Sequence, residues 1–88
     1  MKPSEKELKA MIILKLVNAK RWGASYFPLD TLVNWLSKKI KRNGKKVRRA
    51  IKQLVKHGYV IQHKKGRIIS LNPSRSREIK EFIERFTK

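Results

Sequence analysis

Cysteine is absent from the 88 residues, which excludes disulfide stapling, thiolate metal sites and thiol catalysis together. Long apolar runs are absent too. The run Met11 to Leu14 stops at Lys15, whereas a membrane-spanning helix needs roughly 20 such residues. Glu5, Glu7 and Lys15 also break the pattern of a signal peptide, so a soluble, cytoplasmic protein without membrane attachment is expected. Glycine and proline number only 4 and 3 and are scattered, which leaves no glycine-rich phosphate loop and no low-complexity linker. The most informative absence is acid. Residues 31–77 carry fifteen Lys and Arg and not one Asp or Glu. Phosphoryl chemistry commonly holds Mg²⁺ on carboxylates, and metal sites want clustered His, Cys or acids. Glu78, Glu81 and Glu84 follow on a helix face that reads as exposed, and His57 and His63 stand alone. No enzyme, cofactor or metal is therefore expected.

What remains is one small basic domain. The chain has 24 Lys and Arg against 6 acids, a net charge of +18. Charge of this size opposes compaction by self-repulsion and usually persists because a polyanion cancels it. Residues 1–30 hold six cations and three acids, and residues 78–88 hold three of each, so the asymmetry belongs to the middle. The 40% apolar content is enough for a single core.

The elements follow from periodicity and punctuation. A first helix is expected over 4–21, opened by the capping box Ser4-Glu5-Lys6-Glu7 and ended by Gly23 after Lys20 and Arg21. Its apolar residues, from Leu8 to Val17, span so much of its girth that it should touch neighbours on two sides. Ala24 to Pro28 reads as a short extended piece. Asp30 is the expected cap of a second helix over 30–38, with Leu32, Trp35 and Leu36 on one face. After a polar turn over 39–44, Asn43 caps a third helix over 44–57, with Gly58 as terminator. A hairpin over 59–71 turns at Lys64-Lys65-Gly66, and Asn72-Pro73 opens a last helix over 73–87. That helix carries Ile79, Phe82, Ile83 and Phe86 as one stripe, with Glu81/Arg85 and Glu84/Lys88 pairs outside. The stripe either closes over the first helix, which is favoured, or forms a homodimer seam.

At 100° per residue, Val47, Ile51 and Leu54 of the third helix fall together, flanked by Ala50 and Val55. Opposite them lie Lys45, Arg49, Lys52 and Lys56, flanked by Lys46, Arg48 and Gln53. An ordinary solvated face mixes signs; this one has no acid to form i,i+4 pairs.

Helix, short extended piece, helix, turn, helix and basic-tipped hairpin is an order that resembles the winged helix-turn-helix superfamily. The residues carrying the likeness are Asn43-Gly44-Lys45-Lys46-Val47-Arg48-Arg49-Ala50-Ile51-Lys52-Gln53-Leu54-Val55-Lys56-His57-Gly58-Tyr59-Val60, and the likeness covers about residues 8–71. The resemblance implies a mainly α fold with a small β-hairpin wing (α+β), here with an added C-terminal helix. It implies that the third helix meets nucleic acid while Lys64, Lys65 and Arg67 of the wing rest on a neighbouring phosphate or groove. Lys45, Lys46 and Arg49 are then the candidates for base contact, with Gln53 behind them. Lys38, Lys39, Lys41, Arg42, Arg48, Lys52, Lys56, Lys64, Lys65 and Arg67 are the candidates for phosphate contact.

Duplex DNA is the favoured partner, with a role in transcription regulation or chromatin. Structured RNA is the alternative: winged-helix bodies also occur in ribosomal proteins, and the Asn43 to Val60 stretch is broadly similar to one small-subunit ribosomal family that lacks the C-terminal helix. Nucleoid or ribosome association would follow. Trp22, Tyr26, Phe27 and Trp35 read first as packing residues, with stacking on unpaired bases as the alternative.

Overall fold

A computed structural model describes residues 5–39 and 44–87, the side chains of Lys39 and Thr87 excepted. Ser4 of the expected capping box, the expected Asn43 cap, the candidate contacts Lys41 and Arg42, and Lys88 lie outside the described residues. The chain runs α1 (Glu5–Asn18), β1 (Phe27–Pro28), α2 (Leu29–Lys39), α3 (Gly44–Lys56), β2 (Val60–His63), β3 (Ile68–Leu71), a 3₁₀ turn (Pro73–Arg75) and α4 (Ser76–Thr87). It is mainly helical, with a small three-stranded antiparallel sheet. No described helix is long and apolar enough to cross a membrane.

α1 is the hub. It packs against α3, α4 and β3, which is why Leu8, Ala10, Ile12, Ile13 and Leu16 are all buried although they spread round the helix. Its end corrects the expected boundary. The helix stops at Asn18, and Lys20, not a glycine, takes the left-handed position with φ +56°. The Lys20 and Arg21 N–H groups donate to the carbonyls of Val17 and Leu16, both at 3.0 Å, closing the paired bonds of a Schellman end. Residues 21–23 are thereby freed to reach the sheet. Gly23 donates to the Leu71 carbonyl at 2.9 Å and Leu71 to that of Arg21 at 2.8 Å. Gly23 is thus a close-approach residue: its φ is +60°, and a Cβ there would lie 3.3 Å from the Pro73 ring.

The extended piece contributes only the two residues of β1, yet it completes the sheet. β3 is central, with Phe27 opposite Ile69 on one side and Val60 opposite Leu71 through His63 opposite Ile68 on the other. α2 begins one residue earlier than expected, so Asp30 lies inside the first turn and is not the cap. The Leu29 N–H, which would otherwise be free at the helix start, donates to the Arg67 carbonyl at 2.9 Å. That bond ties α2 to the hairpin and releases the Asp30 carboxylate. Val33 joins Leu32 and Leu36 in the core, while Trp35 is only half-buried, with the Lys15 ammonium 4.6 Å above its ring.

α3 divides as the wheel requires: Val47, Ala50, Ile51 and Leu54 are buried and Val55 half-buried. It ends as expected, with Gly58 at φ +84° donating to the Val55 carbonyl and Tyr59 to that of Leu54, both at 3.0 Å. The last helix differs from expectation at its start. Asn72 does cap it, accepting from the Ser74 N–H at 3.0 Å, but the first turn is 3₁₀ and α4 proper begins at Ser76. Asn72 also donates through Nδ2 to the Gly58 carbonyl at 2.8 Å, which docks this turn on the end of α3. Ile79 is buried, Phe82 and Ile83 pack on the same core, and α4 lies against α1; Phe86 remains exposed. The expected Glu81–Arg85 pair is not formed among the described residues.

Candidate functional site

Burial of one face of α3 fixes what the other face must be. Because the apolar residues are spent on the core, Lys45, Arg48, Arg49, Lys52 and Lys56 all project to solvent, with Lys46 and Gln53 half-buried at the margins. Lys45, Arg48, Arg49 and Lys52 come together around one open concavity, so two of the four base-contact candidates, Lys45 and Arg49, line it. A second open concavity is lined by Lys64, Lys65 and Arg67 at the hairpin tip. Lys38 is exposed on the last turn of α2 and joins neither.

The start of α2 links the two basic patches, and it gives one phosphate-contact candidate an ion-pair partner. Arg48, expected to meet phosphate, has its guanidinium 3.4 Å from the Asp30 carboxylate. Sequence reading missed this pair because the partners are eighteen residues apart and meet only when α2 packs on α3. Asp30 lies just before the acid-free stretch. With side chains 53% and 86% exposed, the pair is worth no more than about 1 kcal/mol and is readily exchanged for a phosphate. Neighbouring Leu29 holds the Arg67 carbonyl, so the two patches flank one junction.

The hairpin tip has an unusual backbone for its composition. Lys64, Lys65 and Gly66 have φ of +49°, +56° and +85°. The Gly66 N–H donates to the His63 carbonyl at 3.0 Å, which makes Lys64 and Lys65 the central pair of a tight turn with the sign pattern of type I′. That turn favours Asn-Gly; an L-residue with a Cβ held left-handed costs roughly 1–2 kcal/mol. Two lysines are therefore kept where local geometry disfavours them. The double variant Lys64→Asn/Lys65→Gly is expected to raise stability by about 1–2 kcal/mol in denaturant unfolding. It should also weaken binding of a polyanion, because two charges leave the patch. A variant that is less stable than the parent would contradict this account of the turn.

The remaining candidates sort by packing. Trp22, Phe27 and Trp35 are half-buried against the core, with the Arg21 guanidinium 5.7 Å from the Phe27 ring. Tyr26 meets the ring of His63 instead, with centroids 4.4 Å apart. Among the described residues no group of three His, Asp or Glu side chains is placed to hold a metal ion. Sequence reading also missed Arg75, whose guanidinium lies over Gly58 at the end of α3, within 3.5 Å of where a Cβ would stand. Comparison with protein-family models, with curated proteins and with solved structures finds no match to this chain.

Proposed function

We propose that this chain is a nucleic-acid-binding module of the winged helix-turn-helix type, with duplex DNA as its favoured partner. The observation that carries the reading is the division of α3: Val47, Ala50, Ile51 and Leu54 are buried, while Lys45, Arg48, Arg49, Lys52 and Lys56 are exposed. A rod with this cross-section presents rigid, regularly spaced cations to a groove lined by phosphates. The order α1–β1–α2–α3–β2–β3 agrees with the resemblance drawn from sequence. The basic hairpin tip is tied to α2 by the Leu29–Arg67 bond, next to the Asp30–Arg48 pair that joins α2 to α3, which supports its reaching the flanking backbone.

The roles follow from reach. Lys45, Lys46 and Arg49 in the first turns of α3 approach base edges, with Gln53 one turn on; Arg suits guanine and Gln suits adenine. Lys38, Lys39, Lys41, Arg42, Arg48, Lys52, Lys56 and the tip cations Lys64, Lys65 and Arg67 meet phosphates, which give affinity and register without sequence information. The module acts as a transcription regulator or chromatin-associated protein and not as an enzyme, since residues 31–77 contain no acid to hold a catalytic metal. Structured RNA is the second reading, favoured by a net charge of +18 on 88 residues.

Two substitutions test the assignment. Lys52→Ala should weaken binding about equally on all duplexes, whereas Arg49→Ala should also relax preference at one base pair by about 1–3 kcal/mol. Fluorescence titration against selected and random duplexes, with structured RNA as competitor, reads both. Equal losses for both variants on both pools would mean that Arg49 reads no base. A stable preference for the RNA competitor would reverse the choice of partner.

A further inference from the structure

Of the aromatic residues near the basic surface, Tyr26 is the one that the core does not claim. Phe27, its neighbour, stands opposite Ile69, which is fully buried, so both face inward. Strand alternation then turns Tyr26 and Ile68 to the opposite face of the sheet. His63, the cross-strand partner of Ile68, shares that face, and the Tyr26–His63 ring contact at 4.4 Å and 56° follows from it. One end of this outer face is closed. Ser70 is fully buried there, its hydroxyl donating to the Gly23 carbonyl at 2.8 Å. The other end is not: Tyr26, His63 and Ile68 are half-exposed, and the chain passes from His63 straight into the cationic concavity of Lys64, Lys65 and Arg67.

We propose that this open half of the sheet holds one unpaired nucleotide, its base stacked on the Tyr26/His63 pair and its phosphate among Lys64, Lys65 and Arg67. The proposal rests on the nucleic-acid reading and adds a partner feature to it: a double-stranded segment that adjoins a single-stranded one. Charge complementarity selects the occupant. A ring platform alone would accept any flat apolar group, but one bordered by three cations favours a flat group with an anion one sugar away. The nearby acid, Asp30, is turned toward Arg48. Bases inside a duplex cannot use the platform, because their faces are already covered by their neighbours. Stacking on an aromatic ring is also tolerant of base identity, so the site adds affinity without a sequence requirement.

The test compares a blunt duplex with the same duplex carrying a short unpaired overhang, by fluorescence anisotropy. The wild-type chain should bind the overhang form about tenfold more tightly, the worth of one stacked base. Tyr26→Ala should remove that gain and keep the affinity for the blunt duplex, while Tyr26→Phe should retain both. His63→Ala, read alongside, carries the same prediction should Tyr26→Ala melt early. Equal wild-type affinity for the two substrates, or a gain that survives both alanine variants, would overturn the proposal. Lys52→Ala separates this outcome from failure of the underlying reading: it should weaken both substrates alike, and no effect on either would implicate the α3 interface itself.

Discussion

Affinity for a B-DNA duplex is expected to fall about 4,000-fold when salt rises from about 0.05 to about 0.2 M, because about seven neutralised phosphates give a log–log slope near −6. The cations available support that number. Lys52 and Lys56 are exposed on α3, Lys38 on α2, and Lys64, Lys65 and Arg67 at the hairpin tip. Arg48 adds a further contact only if phosphate displaces Asp30 from its 3.4 Å ion pair, and the exposure of that pair makes the exchange inexpensive. Each neutralised phosphate releases condensed counterions, and adding salt makes that release less favourable. Binding through apolar packing alone would leave affinity nearly flat over the same range. Titration at four or more salt concentrations gives the slope directly.

The second large effect belongs to the hidden side of the same helix. Ile51→Ala should destabilise the fold by about 2–5 kcal/mol, since Ile51 is 1% exposed among Val47, Leu54 and the core residues of α1. Such a loss is a large share of the roughly 5–15 kcal/mol that holds an ordinary domain. Lys52→Ala, one residue along, should change stability by no more than about 0.5 kcal/mol, because an exposed lysine with no ion-pair partner among the described residues gives up little. Thermal or denaturant unfolding of the two variants measures the contrast. Comparable losses would mean that α3 is not divided between a packing face and a binding face.

That division is legible in the sequence because it depends only on helical period and on a lack of acids. The end of α3 was readable for a similar reason: Gly58 supplies φ +84° with no Cβ to oppose it. The end of α1 was not. Lys20 adopts φ +56° although its side chain disfavours it, and the gain comes from sheet bonds made by residues 21–23, far from any local signal. β1 was visible as an extended piece, but its pairing with β3 rests on two residues whose register no sequence pattern specifies. Asp30 was misplaced as a cap for a related reason, since the bond satisfying Leu29 arrives from Arg67 across the fold. The same tertiary contact set its carboxylate against Arg48. Tyr26 and His63 lay within reach of an alternation argument, once Phe27 and Ile69 are known to be opposite each other.

The central claim is that the outer face of α3 meets phosphate, and Lys52→Ala/Lys56→Ala tests it most directly. Both side chains are exposed and neither supports the core, so the variant should unfold at the same temperature as the parent. Its salt slope should shrink by about 2, from near −6 to near −4, as two phosphate contacts are lost. A well-folded variant with an unchanged slope would show that nucleic acid, if bound, sits elsewhere on the molecule.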